Sequence, residues 1–255
     1  MNLRTRAAAL TLLVAGPLSA GLAGCGARGA DIPGHGGGKN SVSYAGYAGP
    51  TLLSADQRTV TVAGFSYPCF GTLRPIARET RTRVALWLKY VTPVHHGVCT
   101  MDMAMEGPRN IRLSAPLGSR LLVDGATGRS LHWFDVRRML RPAVIPAGYK
   151  LHVVTPLVTG SLPAPAAPGC RQDYQYRSGT LSIIQSAGRV ELPQAGGHAP
   201  AAVQVRGHPG AASAYAIMWR EAGYSVLIEA YPETGKAPVF TTAALIAIAG
   251  SAPPV

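Results

Sequence analysis

Alternation of apolar and polar residues is the main pattern of the chain after residue 50, and it predicts short β-strands. The clearest run covers residues 83–90 and places three apolar side chains on one face: Val84, Leu86 and Leu88. A period of two is typical of a strand that packs one face against a core. Turn residues such as Asp124-Gly125 separate the runs. Residues 50–135 therefore predict a small antiparallel domain that is sandwich-like or barrel-like.

The second half, residues 136–255, predicts another antiparallel sheet and one helix. Apolar runs suggest strands over 151–158, 173–177, 180–185 and 203–206, followed by a hairpin around Glu221-Ala222-Gly223. Residues 241–249 read as a helix that Thr241 or Thr242 can cap and Gly250 can end. The fold class expected for the whole chain is α+β, mostly β, with two small antiparallel-sheet units and one C-terminal helix.

The N-terminus has the pattern of an export signal. Residues 7–22 are apolar, follow Arg4 and Arg6, and are too few and too rich in Gly and Pro for a membrane-spanning helix. The small residues Ala23-Gly24 directly precede Cys25 and resemble the lipobox of bacterial lipoproteins. This resemblance implies removal of residues 1–24 as a signal peptide and transfer of diacylglycerol to the Cys25 thiol. The alternative is an uncleaved helix in which Cys25 has no role.

A lipidated Cys25 implies a protein held at the extracytoplasmic face of the cell membrane. Two or more acyl chains, of the palmitate type, are needed for a stable anchor. Residues 25–49 are rich in Gly and predict a flexible tether between this anchor and the folded part. The formal net charge of +12 raises the question of nucleic acid, but an exported chain excludes that partner. We attribute the charge to composition, the alternative being attraction to anionic head groups or wall polymers.

The cysteine count is compatible with an oxidising compartment. If Cys25 carries lipid, three of the four cysteines remain, so one is left unpaired. We predict a disulfide between Cys69 and Cys99, which would stabilise the fold by about 3 to 4 kcal/mol in the chain-entropy model. Cys170 lies at the end of a proline-rich loop and is expected to be free. A bridge from Cys170 to either of the others would overturn this assignment.

Residues 95–105 contain five side chains that could bind a soft metal ion: His95, His96, Met101, Met103 and Met105. Thioethers and imidazoles suit Cu(I), which makes copper binding an alternative function. The same alternation also builds a strand with a methionine core face, and we favour that interpretation. We therefore expect no cofactor and assign no metal site.

Catalytic motifs are weak throughout the sequence. No G-x-S-x-G elbow, zinc motif or phosphate loop occurs, and Ser186, Ser213 and Ser225 stand without a telling base. Asp124 is better explained by its turn. Four tyrosines are candidates for lining a binding groove: Tyr44, Tyr47, Tyr174 and Tyr176. Tyr174 and Tyr176 would equally well cover one face of a sheet.

Two groups of motifs resemble known exported proteins. The first half resembles small actinobacterial lipoproteins through Cys69, Glu79-Thr80, Cys99, Pro116 to Arg120, Asp124-Gly125 and Thr127-Gly128. The second half is similar to C-terminal modules of bacterial envelope lipoproteins through Pro146 to Tyr149, Trp219, Gly223 and Ile248 to Ser251. The resemblance implies this architecture and no particular reaction. The sequence thus predicts a lipid-anchored, non-enzymatic protein that binds or senses a small-molecule, lipid or protein ligand; an envelope hydrolase is the other alternative.

Overall fold

The computed structural model describes residues 41–66, 72–92, 104–158, 167–176, 179–193, 199–232 and 240–253. Within these ranges the elements are β1 (Ser41–Gly46), β2 (Thr51–Leu53), β3 (Thr59–Ser66), β4 (Thr72–Glu79), β5 (Arg83–Thr92), β6 (Ala104–Arg112), β7 (Leu121–Asp124), β8 (Trp133–Asp135), a 3₁₀ turn (Val136–Arg138), β9 (Lys150–Pro156), β10 (Gly169–Tyr176), β11 (Gly179–Ser186), β12 (Ala201–Val205), β13 (His208–Ala212), β14 (Ala216–Glu221), β15 (Tyr224–Pro232) and α1 (Thr242–Gly250). The chain is mostly β, with a single C-terminal helix among the described residues, as the sequence predicts.

The N-terminal strands form two sheets that pack face to face. In the first sheet, β5 is central: β4 pairs along one edge, and β1 and β7 pair with successive parts of the other. The second sheet has the order β6-β3-β2-β8. Between them lies an apolar core: Tyr47, Leu53, Val60, Val62, Val84, Leu86, Ile111, Leu113, Leu117, Leu122 and Leu131. This arrangement is the predicted sandwich, and in the described part of the chain neither sheet closes into a barrel.

Strand β1 is the main difference from the sequence-based organisation of this half. Ser41–Gly46 belongs to the segment predicted as tether, yet it pairs with β5 from Ser41↔Thr92 to Gly46↔Trp87. Val42 and Tyr44 alternate with serines over only four positions, a strand signal too short to stand out beside the Gly-rich residues that precede it. The ladder hydrogen bonds to β5 order the backbone, so the described end of the predicted tether is part of the sheet.

The second half forms a third, seven-stranded antiparallel sheet of order β12-β13-β14-β15-β11-β10-β9. Helix α1 packs on β14, β15 and β12, and Thr241 caps it by accepting a hydrogen bond from the backbone N–H of Ala244 at 3.2 Å. The predicted hairpin is confirmed, with Ala222 and Gly223 both at positive φ between β14 and β15. The core under the helix is continuous: Leu140, Tyr174, Leu181, Ile183, Val205, Ala212, Ile217, Trp219, Val226, Ile228, Ala230, Leu245, Ile248, Ala249 and Ala252.

Two buried glutamines fix the connector between the halves to this third sheet. The amide of Gln172 donates to the carbonyl of Leu140, and the side-chain oxygen of Gln185 accepts from the N–H of Leu140, both at 2.8 Å. Gln185 also donates to the carbonyl of Arg138 at 2.8 Å. Because a buried amide without partners is costly, these bonds position the connector and bury Leu140 in the core.

Arg206 joins the last residues of the chain to the sheet. It lies in the turn between β12 and β13 at φ 55°, and its guanidinium binds the Glu221 carboxylate with two contacts, at 2.8 and 3.0 Å. The same guanidinium donates to the carbonyls of Ala249, Ala252 and Pro253 at the C-terminal end of α1. Both charged side chains are about nine-tenths buried, 10% and 11% exposed.

In the described ranges no helix is long and apolar enough to cross a membrane.

Candidate ligand-binding cleft

The residues singled out for lipidation, disulfide formation and metal binding lie outside the described part of the chain: Cys25, Cys69, Cys99, His95, His96, Met101 and Met103. Met105 is in β6, where its backbone pairs with Phe65, but its side chain also lies outside the description. The lipid anchor, the Cys69–Cys99 bridge and the copper alternative therefore stay predictions.

The strand ends that flank Cys69 and Cys99 lie close together. Residues 67–71 connect β3 to β4, and residues 93–103 connect β5 to β6. At these ends Ser66 pairs with Ala104, and Thr72 pairs with Val91. The two connections therefore start and finish at the same end of the sandwich, which supports the predicted bridge.

Cys170 lies in strand β10, not in the preceding loop as its sequence context suggests. It is a free thiol, fully buried, and it packs against Leu52 and Phe134 at the junction of the second and third sheets. Burial disfavours the thiolate and raises the pKa of Cys170 to about 12, although a backbone hydrogen bond with Gln185 opposes the shift. Such a thiol behaves as a small apolar core residue.

The four candidate tyrosines do not line one groove. Tyr47 is buried, donates to the carbonyl of Pro50 at 2.7 Å and accepts from the N–H of Ala63. Tyr174 is also buried, while Tyr176 packs on Tyr149 with ring centroids 5.5 Å apart on the same face of the third sheet. Tyr44 lies on the first sheet and is half exposed. The groove hypothesis is wrong for this set because the Tyr47 and Tyr174 rings are buried, while the exposed Tyr44 and Tyr176 lie on different sheets.

A cleft of about 420 Å³ opens where the edge strand β9 meets the second sheet. Its wall on one side comes from β2, β3 and β6, and on the other side from β9 and the connector. The lining residues are Leu52, Ser54, Thr61, Pro108, Asn110, Val136, Met139, Arg141, His152, Val153 and Val154. A smaller pocket of about 180 Å³ shares Pro108 and extends towards Arg171. The cleft exists because the second sheet meets the third sheet along its edge strand β9, and the two sheets do not stack over their whole faces.

The polar lining of the cleft consists of donors and neutral groups. Arg141 and His152 are exposed at its sides. Thr61 donates to the Asn110 side-chain oxygen at 2.8 Å, which turns the amide nitrogen of Asn110 into the free donor. No carboxylate is among the described lining residues, while Leu52, Met139 and Val154 supply an apolar surface. This chemistry suits a small ligand with an anionic group and an apolar body.

A second polar cluster lies on the face of the third sheet that α1 does not cover. Ser182 donates to Asp173 at 2.6 Å and accepts from Arg171 at 3.0 Å, and Arg171 also contacts Asp173 at 2.8 Å. Tyr231 donates to the buried Glu229 at 2.9 Å. Burial raises the pKa of Glu229, although the Tyr231 hydrogen bond and Arg171 oppose this shift. The members satisfy one another, so the cluster joins strands β10, β11 and β15.

The serines considered for a hydrolase do not form a catalytic group with described residues. Ser186 accepts from the N–H of Gly188 at 3.1 Å, the buried Ser213 hydroxyl has no described hydrogen-bond partner, and no described histidine hydrogen-bonds to Ser186, Ser213 or Ser225. Asp124 is confirmed as a turn residue, since its carboxylate accepts from the N–H of Ala126 at 3.0 Å and from the Thr127 hydroxyl at 2.5 Å. The described residues also contain no group of three or more histidine, cysteine or acidic side chains able to hold a metal ion.

Comparison of the chain with protein-family models, with curated proteins and with solved structures finds no match. Membership of an exported lipoprotein family therefore stays a prediction from the motifs. The functional argument rests on the cleft and on the sequence of the N-terminus.

Proposed function

We propose that this chain is a lipid-anchored binding protein of the extracytoplasmic face of the cell membrane, without enzymatic activity, and that its ligand is a small molecule with an anionic group. The observation that carries the proposal is the cleft beside β9, which is lined by Arg141 and His152 together with apolar side chains and no described carboxylate.

The volume of the cleft supports a small ligand rather than a protein loop. At about 420 Å³ it falls in the range of roughly 300 to 1,000 Å³ that is typical of small-molecule sites. Its lining combines the buried Leu52 and other apolar side chains with five polar residues. A ligand with an apolar body would cover Met139 and Val154, while its anionic group would pair with the Arg141 guanidinium.

Location follows from the N-terminal sequence. The basic start, the short apolar run and Ala23-Gly24-Cys25 support export and acylation at Cys25. Radiolabelled palmitate should enter the full chain expressed in an actinobacterial host, and the Cys25→Ala variant should not incorporate it. Label in that variant would contradict the anchor.

Ligand binding is tested with 8-anilinonaphthalene-1-sulfonate, which combines an anionic group with an apolar ring system. We expect its fluorescence to rise on binding to the mature chain, and its affinity to fall about tenfold in Arg141→Ala, since a hydrogen bond to a charged group contributes about 1.5 kcal/mol or more. Arg189→Ala is the matched control, because this exposed arginine carries the same charge and does not line the cleft.

Equal affinity in the two variants would contradict the cleft as the site. His152→Ala adds a second readout. If the His152 imidazole hydrogen-bonds to the ligand, the affinity for the probe falls in this variant as well. Native mass spectrometry of the full chain purified from its host would identify a co-purified ligand directly.

A further inference from the structure

The outer face of the first sheet, the side turned away from the sandwich core, carries exposed and half-buried aromatic, aliphatic and cationic side chains. We define this outer face by seven residues: Val42, Tyr44, Arg74, Ile76, Arg78, Trp87 and Lys89. We propose that it docks onto the anionic head groups of the membrane to which the chain is tethered. The proposal rests on the proposed lipid anchor at Cys25.

Strand register places these residues on one surface. Tyr44 pairs with Lys89, and Lys89 pairs with Arg74, which gives one row across β1, β5 and β4. The next row joins Trp87 with Ile76. Residues that are directly opposite in neighbouring strands point to the same side of a sheet. The intervening positions of β5, such as Val84 and Leu86, are buried in the core instead.

Arg78 links the two aromatic rings of this face. Its guanidinium carbon lies 5.7 Å from the centre of the Tyr44 ring and 5.1 Å from that of Trp87. These cation–π contacts hold the guanidinium over the sheet. Arg78 therefore keeps its charge next to apolar surface, which is the arrangement that a lipid head group meets at a membrane interface.

The face is open and positively charged. Val42 is 49% and Tyr44 is 47% exposed, and the side chains of Arg74 and Arg78 are exposed as well. No described carboxylate forms an ion pair with Arg74, Arg78 or Lys89. Asp124, which lies next to Gly46 at the end of β1, is buried and satisfied by its own turn.

Charge and residue type together select an anionic bilayer as the occupant. Basic side chains are attracted to the negative potential of anionic lipids, while tyrosine favours the head-group region because it combines an apolar ring with a polar hydroxyl. The half-buried Trp87 contributes ring surface only, since its indole nitrogen is buried. Val42 and Ile76 add apolar area between these groups. A purely polyanionic partner would use the cations but would leave these apolar side chains uncovered.

The chain order brings this face close to the anchor. Only the sixteen residues from Cys25 to Asn40 separate the acylation site from β1, and β1 is itself a strand of the docking sheet. The Gly-rich sequence of this segment predicts a flexible chain, for which this length gives an end-to-end distance of about 20 to 24 Å and a maximum of about 55 Å. Anchoring therefore keeps the outer face within reach of the head groups and raises its effective concentration there.

The test uses the mature chain, residues 25–255, with Cys25→Ala, so that binding through the face is measured without the anchor. We expect it to co-sediment with vesicles of 70% phosphatidylcholine and 30% phosphatidylglycerol, but not with pure phosphatidylcholine. The triple variant Arg74→Gln, Arg78→Gln, Lys89→Gln should bind about 100-fold more weakly, since each cation near an anionic surface contributes about fivefold.

The matched control removes three exposed cations from the third-sheet half: Lys150→Gln, Arg189→Gln and Arg220→Gln. It has the same net charge as the triple variant and should bind within a few-fold of wild type. Equal loss in both triple variants would overturn the proposal, because binding would then depend on net charge alone. Circular dichroism checks that both variants fold, and Tyr44→Ser gives a single-residue test that changes no charge.

A second arm distinguishes the bilayer from a soluble polyanion. In vesicles with brominated phosphatidylglycerol, tryptophan fluorescence of the wild-type chain should be quenched, and Trp87→Phe should remove most of the quenching. Tight binding of soluble polyphosphate without such quenching would assign the face to a wall polymer and overturn membrane docking. Absence of palmitate from Cys25 with intact vesicle binding would instead refute the anchor alone.

Discussion

Replacement of Arg206 is the sharpest test of what fixes the C-terminal end of the chain to the third sheet. Arg206→Ala removes a guanidinium that binds Glu221 in a two-point contact and donates to three carbonyls after and within α1. The Glu221 carboxylate would stay almost buried, with only the Trp219 indole N–H at 3.0 Å as a described donor. Helix α1 would also lose the cation at its negatively polarised C-terminal end.

The expected cost follows from burial. Removal of one partner from a buried ion pair costs about 3 to 5 kcal/mol, because the other charge is left without compensation. Since Trp219 still serves Glu221, we expect about 3 kcal/mol, which corresponds to a fall in Tm of about 6 to 12 °C for a chain of this size. Arg206→Gly should cost about 1 kcal/mol less, since glycine adopts the φ of 55° without strain.

The measurement is urea unfolding of the mature chain, followed by circular dichroism and repeated from pH 3 to pH 7. Burial raises the pKa of Glu221, but the hydrogen bonds from Arg206 and Trp219 outweigh it, so its pKa lies below the ordinary 4.5. The contribution of the pair is therefore complete above pH 4.5 and is lost as the pH falls through the lowered pKa. The difference between wild type and Arg206→Ala should shrink over that range.

Two comparisons can refute this reasoning. Arg137→Ala breaks an ion pair with Asp135 that is much more exposed, so it should change stability little. The double variant Arg206→Ala, Glu221→Gln should be less destabilised than the sum of its single changes, since the two groups interact directly. Equal effects of Arg206→Ala and Arg137→Ala, or strict additivity in the double variant, would show that the Arg206–Glu221 pair does not stabilise the C-terminal end.

Three further predictions concern the core. Cys170 should resist iodoacetamide at pH 8 in the folded chain and react in 6 M guanidinium, as read by peptide mass spectrometry, because burial raises its pKa to about 12; rapid labelling of the native protein would contradict this. The raised pKa of Glu229 means that wild-type stability should decline as the pH rises above 4.5, and Glu229→Gln should abolish this decline in urea unfolding; parallel pH profiles would refute it. Gly125→Ala should lower the free energy of unfolding by about 1 to 3 kcal/mol, since a Cβ there would overlap the Trp87 ring. The control Gly107→Ala should leave the free energy of unfolding unchanged, since a Cβ at Gly107 meets no atom within 4 Å.

Local patterns determined several elements of this protein from the sequence alone. Strand β5 follows from alternation over residues 83–90, the β14–β15 hairpin follows from Ala222-Gly223, and α1 follows from its Thr241 cap. Each signal involves residues within a few positions of one another. Residues 41–46, predicted as part of the tether, form β1 because they pair with β5, more than forty residues further along the chain. The short alternation of Val42 and Tyr44 with serines does not reveal this partner.

Tertiary structure alone decided the sites. The cleft combines Thr61 and Asn110 with Arg141 and His152 from the other half, and the outer face of the first sheet brings Tyr44 next to Arg78. Neither juxtaposition has a local signature, because strand order and register set which side chains become neighbours. Arg206 could not be singled out from the sequence for the same reason. It occupies a turn at positive φ, and its partners at the end of the helix lie more than forty residues further along the chain. Periodicity tells which side of a strand is buried, whereas the packing of distant segments determines what it is buried against.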